Sequence, residues 1–471
     1  MSHPRTASPT SSTSIATPVA TALAAFSALA AGSASAQLLP GANLTFENNV
    51  GNQVTLITPT SLSLTQFASV GVNPAFPNDI YFTTRGSTRG GEANAQGGFF
   101  RSTDGGLTFE RTSADVGILD NGEDSFAITP DRPNRVIVVQ EKGERSAATI
   151  NISNDRGATF VQGGTTLPGI FRNAISVEVD PRDPDVIYVG SDTGVAVSRD
   201  GGFTFVDAPA PLPSQSPTGS FTPIGNIVAV PNADDGSNVF VAVRQGSTGL
   251  FRSVDSGETF DAPNRGLTVF PNNSGPRASA ESIGASPADP DRLYVGIFND
   301  TAQRIFRSDD AGASFELLDT VPRSEFVRTD PVPAFSSSNV IRDFAVDPLD
   351  ADRFVVATNN AQVLWTEDGG DTFTDAGFLF RDIMLLANGQ VQIETALGNV
   401  RTGSSPQLAL STTGGGPGFG AFNVVFDPSD RNRVFVSTSN GLFAVPVPEP
   451  TTGAFVAAAA GATLLRRRRA C

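Results

Sequence analysis

Few side chains in this chain could act as nucleophiles or soft metal ligands, because histidine and cysteine occur once each, at His3 and Cys471. Both lie in terminal segments that we expect to be removed from the mature protein. A mature domain without these two residues has no Ser-His-Asp or Cys-His nucleophile, no zinc site built on His or Cys, and no disulfide. Asp, Glu, Arg and Tyr are therefore the residue types left for catalysis or binding.

Carboxylates occur just before several apolar stretches that predict the innermost strands of a repeated unit. Glu123 and Asp124 precede one stretch, Glu281 a second and Asp343 a third. Two carboxylates facing each other across a cleft are what glycoside hydrolysis requires. These four residues are the candidates for a catalytic pair, although any solvated channel mouth contains the same residue types.

Three further polar residues occur at the same places in the unit. Arg172 and Asn173 come before a fourth inner stretch, and Arg342 stands beside Asp343. Guanidinium and amide groups bind hydroxyl or carboxylate groups without chemistry of their own. We treat these three as candidate ligand-binding residues.

The elements that carry these residues repeat along the chain. An eight-residue pattern, Ser-x-Asp-x-Gly-x-Thr-Phe with Thr366 and Ser314 as variants, occurs at 102–109, 153–160, 198–205, 253–260, 308–315 and 366–373. Apolar alternation leads into each copy, which predicts a β-hairpin whose Asp bonds backbone N–H groups and whose Gly permits positive φ. We expect a structural role for the six aspartates, Asp104, Asp155, Asp200, Asp255, Asp310 and Asp368.

This pattern resembles the Asp-box, or BNR, repeat of sialidase-like, sortilin-like and xyloglucanase-type β-propellers, with Phe closing each copy where that family usually has Trp. The resemblance covers most of the chain between its termini and implies an all-β propeller. Sialidases of this kind use a tyrosine nucleophile. Tyr81, Tyr188 and Tyr294 occupy packing positions in predicted second strands, which excludes that chemistry.

A second repeated block counts the blades. It is a strand, an acidic Pro turn and another strand, and it occurs seven times. Five residues before each turn Pro, or its equivalent, stands a small or polar residue: Ser69, Ser125, Ser176, Asn226, Ser282, Asp343 or Asn423. We predict one seven-bladed propeller of four-stranded blades over 37–445.

The last block ends without an Asp box or an outer strand. We therefore expect a strand from 37–66 to complete the seventh blade, the alternative being an open arc. The insertion at 374–420 resembles an extra hairpin, so an eighth, degenerate blade is the other arrangement considered.

Both termini carry targeting features. Residues 1–36 combine Arg5, an Ala-rich apolar run and Ala34-Ser35-Ala36, which predicts a secretory signal peptide. Residues 446–471 contain an apolar run after Pro448, Glu449 and Pro450, and end with four arginines, Arg466, Arg467, Arg468 and Arg469. This order resembles the PEP-CTERM signal, which implies recognition by exosortase, transient anchoring in a bacterial membrane, and removal of the tail. The alternative is an ordinary tail-anchor or an amphipathic end.

The net charge of −16 disfavours nucleic acid as a partner. We predict no cofactor and no metal; the acidic turn at 180–185, with its hard oxygen ligands, is the alternative place for a Ca²⁺ ion. The function expected is an exported cell-surface or matrix binding module whose partner is a surface polysaccharide or surface protein. The alternatives are a carboxylate-pair glycoside hydrolase and a protein-assembly scaffold.

Overall fold

The structure is a computed structural model that describes residues 38–447, apart from a set of gaps. These gaps are 49–50, 60–66, 85–97, 114–124, 130, 141–147, 164–175, 192–193, 210–211, 213–223, 244–248, 263–266, 268–278, 300–301, 319–340, 359–360, 380–381, 386–390, 395–399, 404–420 and 439–440. The predictions for both termini, and the candidates Glu123, Asp124, Arg172 and Asn173, lie outside the described residues. No helix in the described ranges is long and apolar enough to cross a membrane.

The described chain is all-β, and it confirms the predicted seven-bladed propeller of antiparallel blades. Blade 1 consists of β4 (Phe67–Val72), β5 (Ile80–Thr84), β6 (Gly98–Ser102) and β7 (Thr108–Ser113). Blade 2 consists of β8 (Phe126–Ile128), β9 (Val136–Gln140), β10 (Thr149–Ser153) and β11 (Val161–Gln162). Blade 3 consists of β12 (Ser176–Val179), β13 (Ile187–Ser191), β14 (Gly194–Ser198) and β15 (Val206–Asp207). Blade 4 consists of β16 (Ile224–Pro231), β17 (Ser237–Val243) and β18 (Leu250–Ser253). Among the described residues of blade 4, the outer edge is represented by one bridge between Arg252 and Asp261.

The remaining blades follow the same inner-to-outer order. Blade 5 consists of β19 (Ser279–Ser286), β20 (Asp289–Asn299), β21 (Ala302–Ser308) and β22 (Glu316–Leu317). Blade 6 consists of β23 (Ile341–Asp347), β24 (Asp350–Thr358), β25 (Gln362–Thr366) and β26 (Thr374–Phe378). Blade 7 contains β30 (Ala421–Asp427), β31 (Asp430–Thr438) and β32 (Gly441–Pro446), followed by the amino-terminal strands β3 (Gln53–Leu56) and β2 (Leu44–Glu47). Another amino-terminal strand, β1 (Leu38–Pro40), lies on the outer edge of blade 1 beside β7.

The ring closes through its innermost strands. Each inner strand contacts the next, in the order β4, β8, β12, β16, β19, β23, β30 and back to β4. Seven hydrophobic clusters fill the seven spaces between neighbouring blades. Strands such as β13 and β14 are buried along their whole length because each blade is covered on both faces, which explains their continuous Val, Ile and Ala content.

Blade 7 joins the two ends of the propeller. Strand β3 pairs antiparallel with β32, with Thr55 opposite Ala444 and Leu56 opposite Phe443. The outer strand that the last repeat lacks thus comes from the segment preceding the first repeat, so blade 7 contains strands from both ends of the ring.

The insertion after blade 6 does not join the ring. Its strands β27 (Asp382–Leu385), β28 (Val391–Glu394) and β29 (Val400–Gly403) form a separate three-stranded sheet and pair only with one another among the described strands. The hairpin expected at 374–420 exists with a third strand added, but it does not form an eighth blade.

Candidate functional site

The Asp boxes are closed hydrogen-bonded units, which the third copy illustrates. Asp200 Oδ1 accepts from Ser198 Oγ at 2.8 Å and Thr204 N at 2.8 Å, while Oδ2 accepts from Thr204 Oγ1 at 2.6 Å. Desolvation opposes ionisation, but these hydrogen bonds outweigh it and lower the pKa of Asp200 to about 2. The other five copies repeat the Ser, Asp and Thr bonds. Each carboxylate is committed to its own turn.

Two consecutive residues with positive φ follow the Asp in every copy, and the second is always Gly. At Gly257, where φ is +78°, an added Cβ would lie 2.7 Å from Tyr188 Cε1 of the preceding blade. The box therefore requires glycine both for its backbone conformation and for its close approach to the neighbouring blade.

The backbone carbonyl of the residue directly after the box Asp, here called the box carbonyl, joins blades together. In blades 2 to 6 it accepts a hydrogen bond from the preceding blade. The box carbonyls and their donors are Arg156 with Arg101 Nη1 (3.2 Å), Gly201 with Arg135, Ser256 with Tyr188 Oη (2.8 Å), Ala311 with Arg252 Nη1 (3.2 Å) and Gly369 with Arg307 Nη1 (3.1 Å).

The seven small or polar residues of the inner strands form a buried belt around the axis, each 6% exposed or less. A side chain of one blade typically accepts a backbone N–H from the next blade. The donor and acceptor pairs are Ser125 N to Ser69 Oγ (2.9 Å), Ile227 N to Ser176 Oγ (3.2 Å), Ile283 N to Asn226 Oδ1 (3.1 Å), Val424 N to Asp343 Oδ2 (2.9 Å) and Val70 N to Asn423 Oδ1 (3.0 Å).

Asp343 belongs to this belt and links three blades. Its Oδ2 accepts from Val424 N and from Asn423 Nδ2, both at 2.9 Å, and its Oδ1 accepts from Ser282 Oγ at 3.3 Å. The side chain is 6% exposed. A carboxylate held by three donors at an interblade contact is arranged to fix those blades.

Glu281 and Arg342 occupy equivalent positions in adjacent blades, each one residue before the belt. The pairing register shifts between Ala280 and Ser282 in β19, and between Ile341 and Asp343 in β23, so each residue is the extra residue of a β-bulge. Bulges re-aim side chains and are common beside functional sites. Arg342 is half-buried. Glu281 of blade 5 and Arg342 of blade 6 thus stand at matching backbone positions, and we take these two positions as the candidate site.

The tyrosines that the sequence assigned to packing are fully buried. Tyr188 Oη donates to Asp180 Oδ2 at 3.0 Å, and Tyr294 Oη donates to Ala351 O at 2.8 Å. Burial raises the pKa of both phenols far above the usual value. A phenol that resists ionisation and touches no cleft cannot serve as a nucleophile, which agrees with the exclusion of sialidase chemistry.

The acidic turn considered for Ca²⁺ uses its carboxylates within the protein. Asp180 is 1% exposed and accepts from Tyr188 and from Ser237 Oγ at 2.7 Å. Asp185 accepts from Arg132 Nη1 at 2.6 Å, and the hydrogen bond from Arg132 lowers the pKa of Asp185. The described residues contain no group of three or more His, Cys, Asp or Glu arranged around a metal position.

Neither a family model nor a curated protein matches this sequence. Among solved structures, the chain is similar to the GH74 xyloglucanase from Xanthomonas campestris, with a TM-score of 0.53 and 18% identity over 85% of this chain and 54% of that one. It is also similar to the GH74 enzyme of Niastella koreensis, with a TM-score of 0.51 and 19% identity over 86% and 52%. An oligogalacturonate lyase in complex with manganese aligns with a TM-score of 0.53 and 8% identity over 88% and 98%.

These similarities establish the propeller fold alone, because every identity is below one fifth. The chain spans about half the length of the GH74 enzymes that it matches. Those two proteins are GH74 enzymes, and their likeness to this chain assigns it no catalytic residue.

Proposed function

We propose that this protein is an exported, non-catalytic binding module whose partner is a surface polymer such as an exopolysaccharide. The observation that carries the proposal is the role of Asp343. Because this carboxylate is tied to three blades, the candidates left in blades 5 and 6 are one acid, Glu281, and one base, Arg342. Carboxyl and guanidinium groups both suit hydrogen bonding to sugar hydroxyls, whereas hydrolysis needs two carboxylates.

Export and sorting are the second part of the proposal. The pattern in residues 1–36 supports secretion, and the order Pro448, Glu449, Pro450, apolar run and arginines supports exosortase processing at a bacterial surface. Mass spectrometry of protein released by a bacterium that carries an exosortase should find Gln37 at the amino terminus and no Arg466–469 segment. Release of the intact tail would contradict this part.

The binding proposal is tested by retention on immobilised glycans. We expect the protein to be retained by at least one acidic or neutral exopolysaccharide, and we expect Glu281→Gln and Arg342→Gln to weaken retention without lowering the melting temperature. Asp371→Asn and Arg132→Gln are matched controls, since both alter exposed ion pairs away from the channel and should leave retention unchanged.

Three outcomes would argue against a polysaccharide partner. Retention on no glycan would remove the carbohydrate part of the proposal. Release of new reducing ends that Glu281→Gln abolishes would instead favour the glycoside hydrolase. Capture of one defined surface protein by the wild type, lost in Arg342→Gln, would favour the assembly scaffold.

A further inference from the structure

A cavity of about 270 Å³ lies at the seam between blades 7 and 1. Its floor is apolar and includes Ile57, Ile80 and Phe435, all buried. Its rim is polar and exposed, and includes Asn78 and Asp430. The cavity lies on the side of the propeller that carries the Asp boxes, because Gly105 of the first box also lines it.

Three other interfaces fill the corresponding space with an arginine. Arg101, Arg252 and Arg307 each stand directly before the box Ser of their own blade and donate to the box carbonyl of the next blade, at 3.1–3.2 Å. Each also pairs with an acid nine residues later on its own outer edge, namely Glu110, Asp261 or Glu316. The three arginine side chains are only 14%, 16% and 18% exposed, so the filled space encloses its guanidinium.

Blade 7 lacks both members of this pair. By strand register, Ala444 stands where those arginines stand, and Thr55, opposite it on β3, stands where the acids stand. Both residues line the cavity. Among the described residues, the Gly105 carbonyl is also the one box carbonyl to which the preceding blade donates no hydrogen bond.

The charges around the cavity favour a cation. Arg433, on the rim, is neutralised by Asp427, to which its Nε donates at 2.7 Å. The carboxylate of Asp430 then remains, and its Oδ1 accepts from Asn432 N within its own turn at 3.0 Å. With the Gly105 carbonyl and the Asn78 amide, the lining offers acceptors to a donor-rich, positively charged group.

We propose that the seam cavity is a socket for the guanidinium group of an arginine side chain supplied by a partner protein. Blades 1, 4 and 5 contain the occupied form of this socket within the same molecule. An incoming arginine lays its aliphatic stem on the apolar floor, donates to the Gly105 carbonyl and pairs with Asp430.

The test measures binding of N-acetylarginine amide to the full-length chain by ligand-observed NMR and calorimetry. Its citrulline analogue has the same shape without the charge and should bind at least about tenfold more weakly. Asp430→Asn should weaken arginine binding several-fold. Asp350→Asn is the matched control, because Asp350 makes the same turn bond to Asp352 N at 3.1 Å in blade 6.

Refilling the socket gives the decisive variant. The double substitution Ala444→Arg with Thr55→Glu recreates the pair of blades 1, 4 and 5, and should abolish arginine binding while raising the melting temperature. Ala444→Met fills the same space without charge and should also abolish binding, which keeps the test valid if the double variant folds poorly.

Three results would overturn the proposal. Equal affinity for arginine and citrulline, or binding that survives both Ala444 variants, would show that the socket does not select a guanidinium. Binding that appears only after Arg466, Arg467, Arg468 and Arg469 are all replaced by Gln would assign the socket to the chain's own tail instead of a partner.

Discussion

Substitution of Asp343 distinguishes a structural carboxylate from a catalytic one. In Asp343→Ala, Val424 N and Asn423 Nδ2 lose the oxygen that both bond at 2.9 Å. A buried donor left without a partner costs about 1–3 kcal/mol, so two cost about 2–6 kcal/mol. The Ser282 hydroxyl can rotate toward another acceptor and adds little.

Asp343→Asn should behave very differently. Its amide oxygen can accept from Val424 N and Asn423 Nδ2, and its amide nitrogen can donate to Ser282 Oγ, so the belt stays intact. Loss of the charge weakens these bonds, but the smaller desolvation cost offsets part of that loss, and we expect a net cost of about 1 kcal/mol.

The assay is urea denaturation followed by tryptophan fluorescence, since Trp365 packs in the cluster between blades 6 and 7. Asp371→Ala, at an exposed ion pair with Arg307, is the control and should lie within about 0.5 kcal/mol of the wild type. Wild-type stability in Asp343→Ala, or equal destabilisation by Ala and Asn, would refute the belt as we describe it.

Three further outcomes follow from the same contacts. Because the pKa of Asp200 is lowered to about 2, its stabilising contribution is complete above the unfolded value near 4 and is lost as the pH falls through 2; the melting temperature should drop less over that range in Asp200→Ala than in the wild type. Arg252→Met removes the guanidinium that bonds both Asp261 and the Ala311 carbonyl, and should lower the free energy of unfolding by about 1–3 kcal/mol in urea denaturation. Arg132→Met, at an exposed ion pair, is the control. Leu56→Ala, at 2% exposure in β3, should cost about 2–5 kcal/mol and increase amide exchange in β32, and unchanged exchange there would contradict completion of blade 7 by β3.

Much of the fold could be predicted from spacing alone. The Asp boxes give the outer hairpins, because only a turn with an acceptor at the Asp and positive φ at the Gly fits that spacing. The turn prolines give the inner pair of strands, and their number gives the number of blades. The third strand of the 374–420 insertion could not be foreseen, since 400–403 shows no clear alternation.

The belt was visible in the sequence only as a column of small or polar residues. Its meaning comes from the ring, because five of the seven side chains accept a backbone N–H that is about 50 to 80 residues away, or more than 350 away at the seam. Asp343 resembled a catalytic candidate because burial cannot be read from residue type.

The pairs of arginine and acid between blades could be recognised from their spacing in the sequence, although not from residue type alone. An Arg before the box Ser is followed nine residues later by an acid in three blades, as in Arg101 with Glu110. The absence of that pair at Ala444 and Thr55 gains significance only when the register of β3 against β32 is known.

The most direct test of binding without cleavage compares the wild type with Asp343→Asn on the glycans that retain the protein. Retention and the release of reducing ends should be measured in the same incubation. We predict that both proteins are retained equally and that neither releases reducing ends. Release by the wild type that is abolished in a normally folded Asp343→Asn would make Asp343 catalytic and contradict the account.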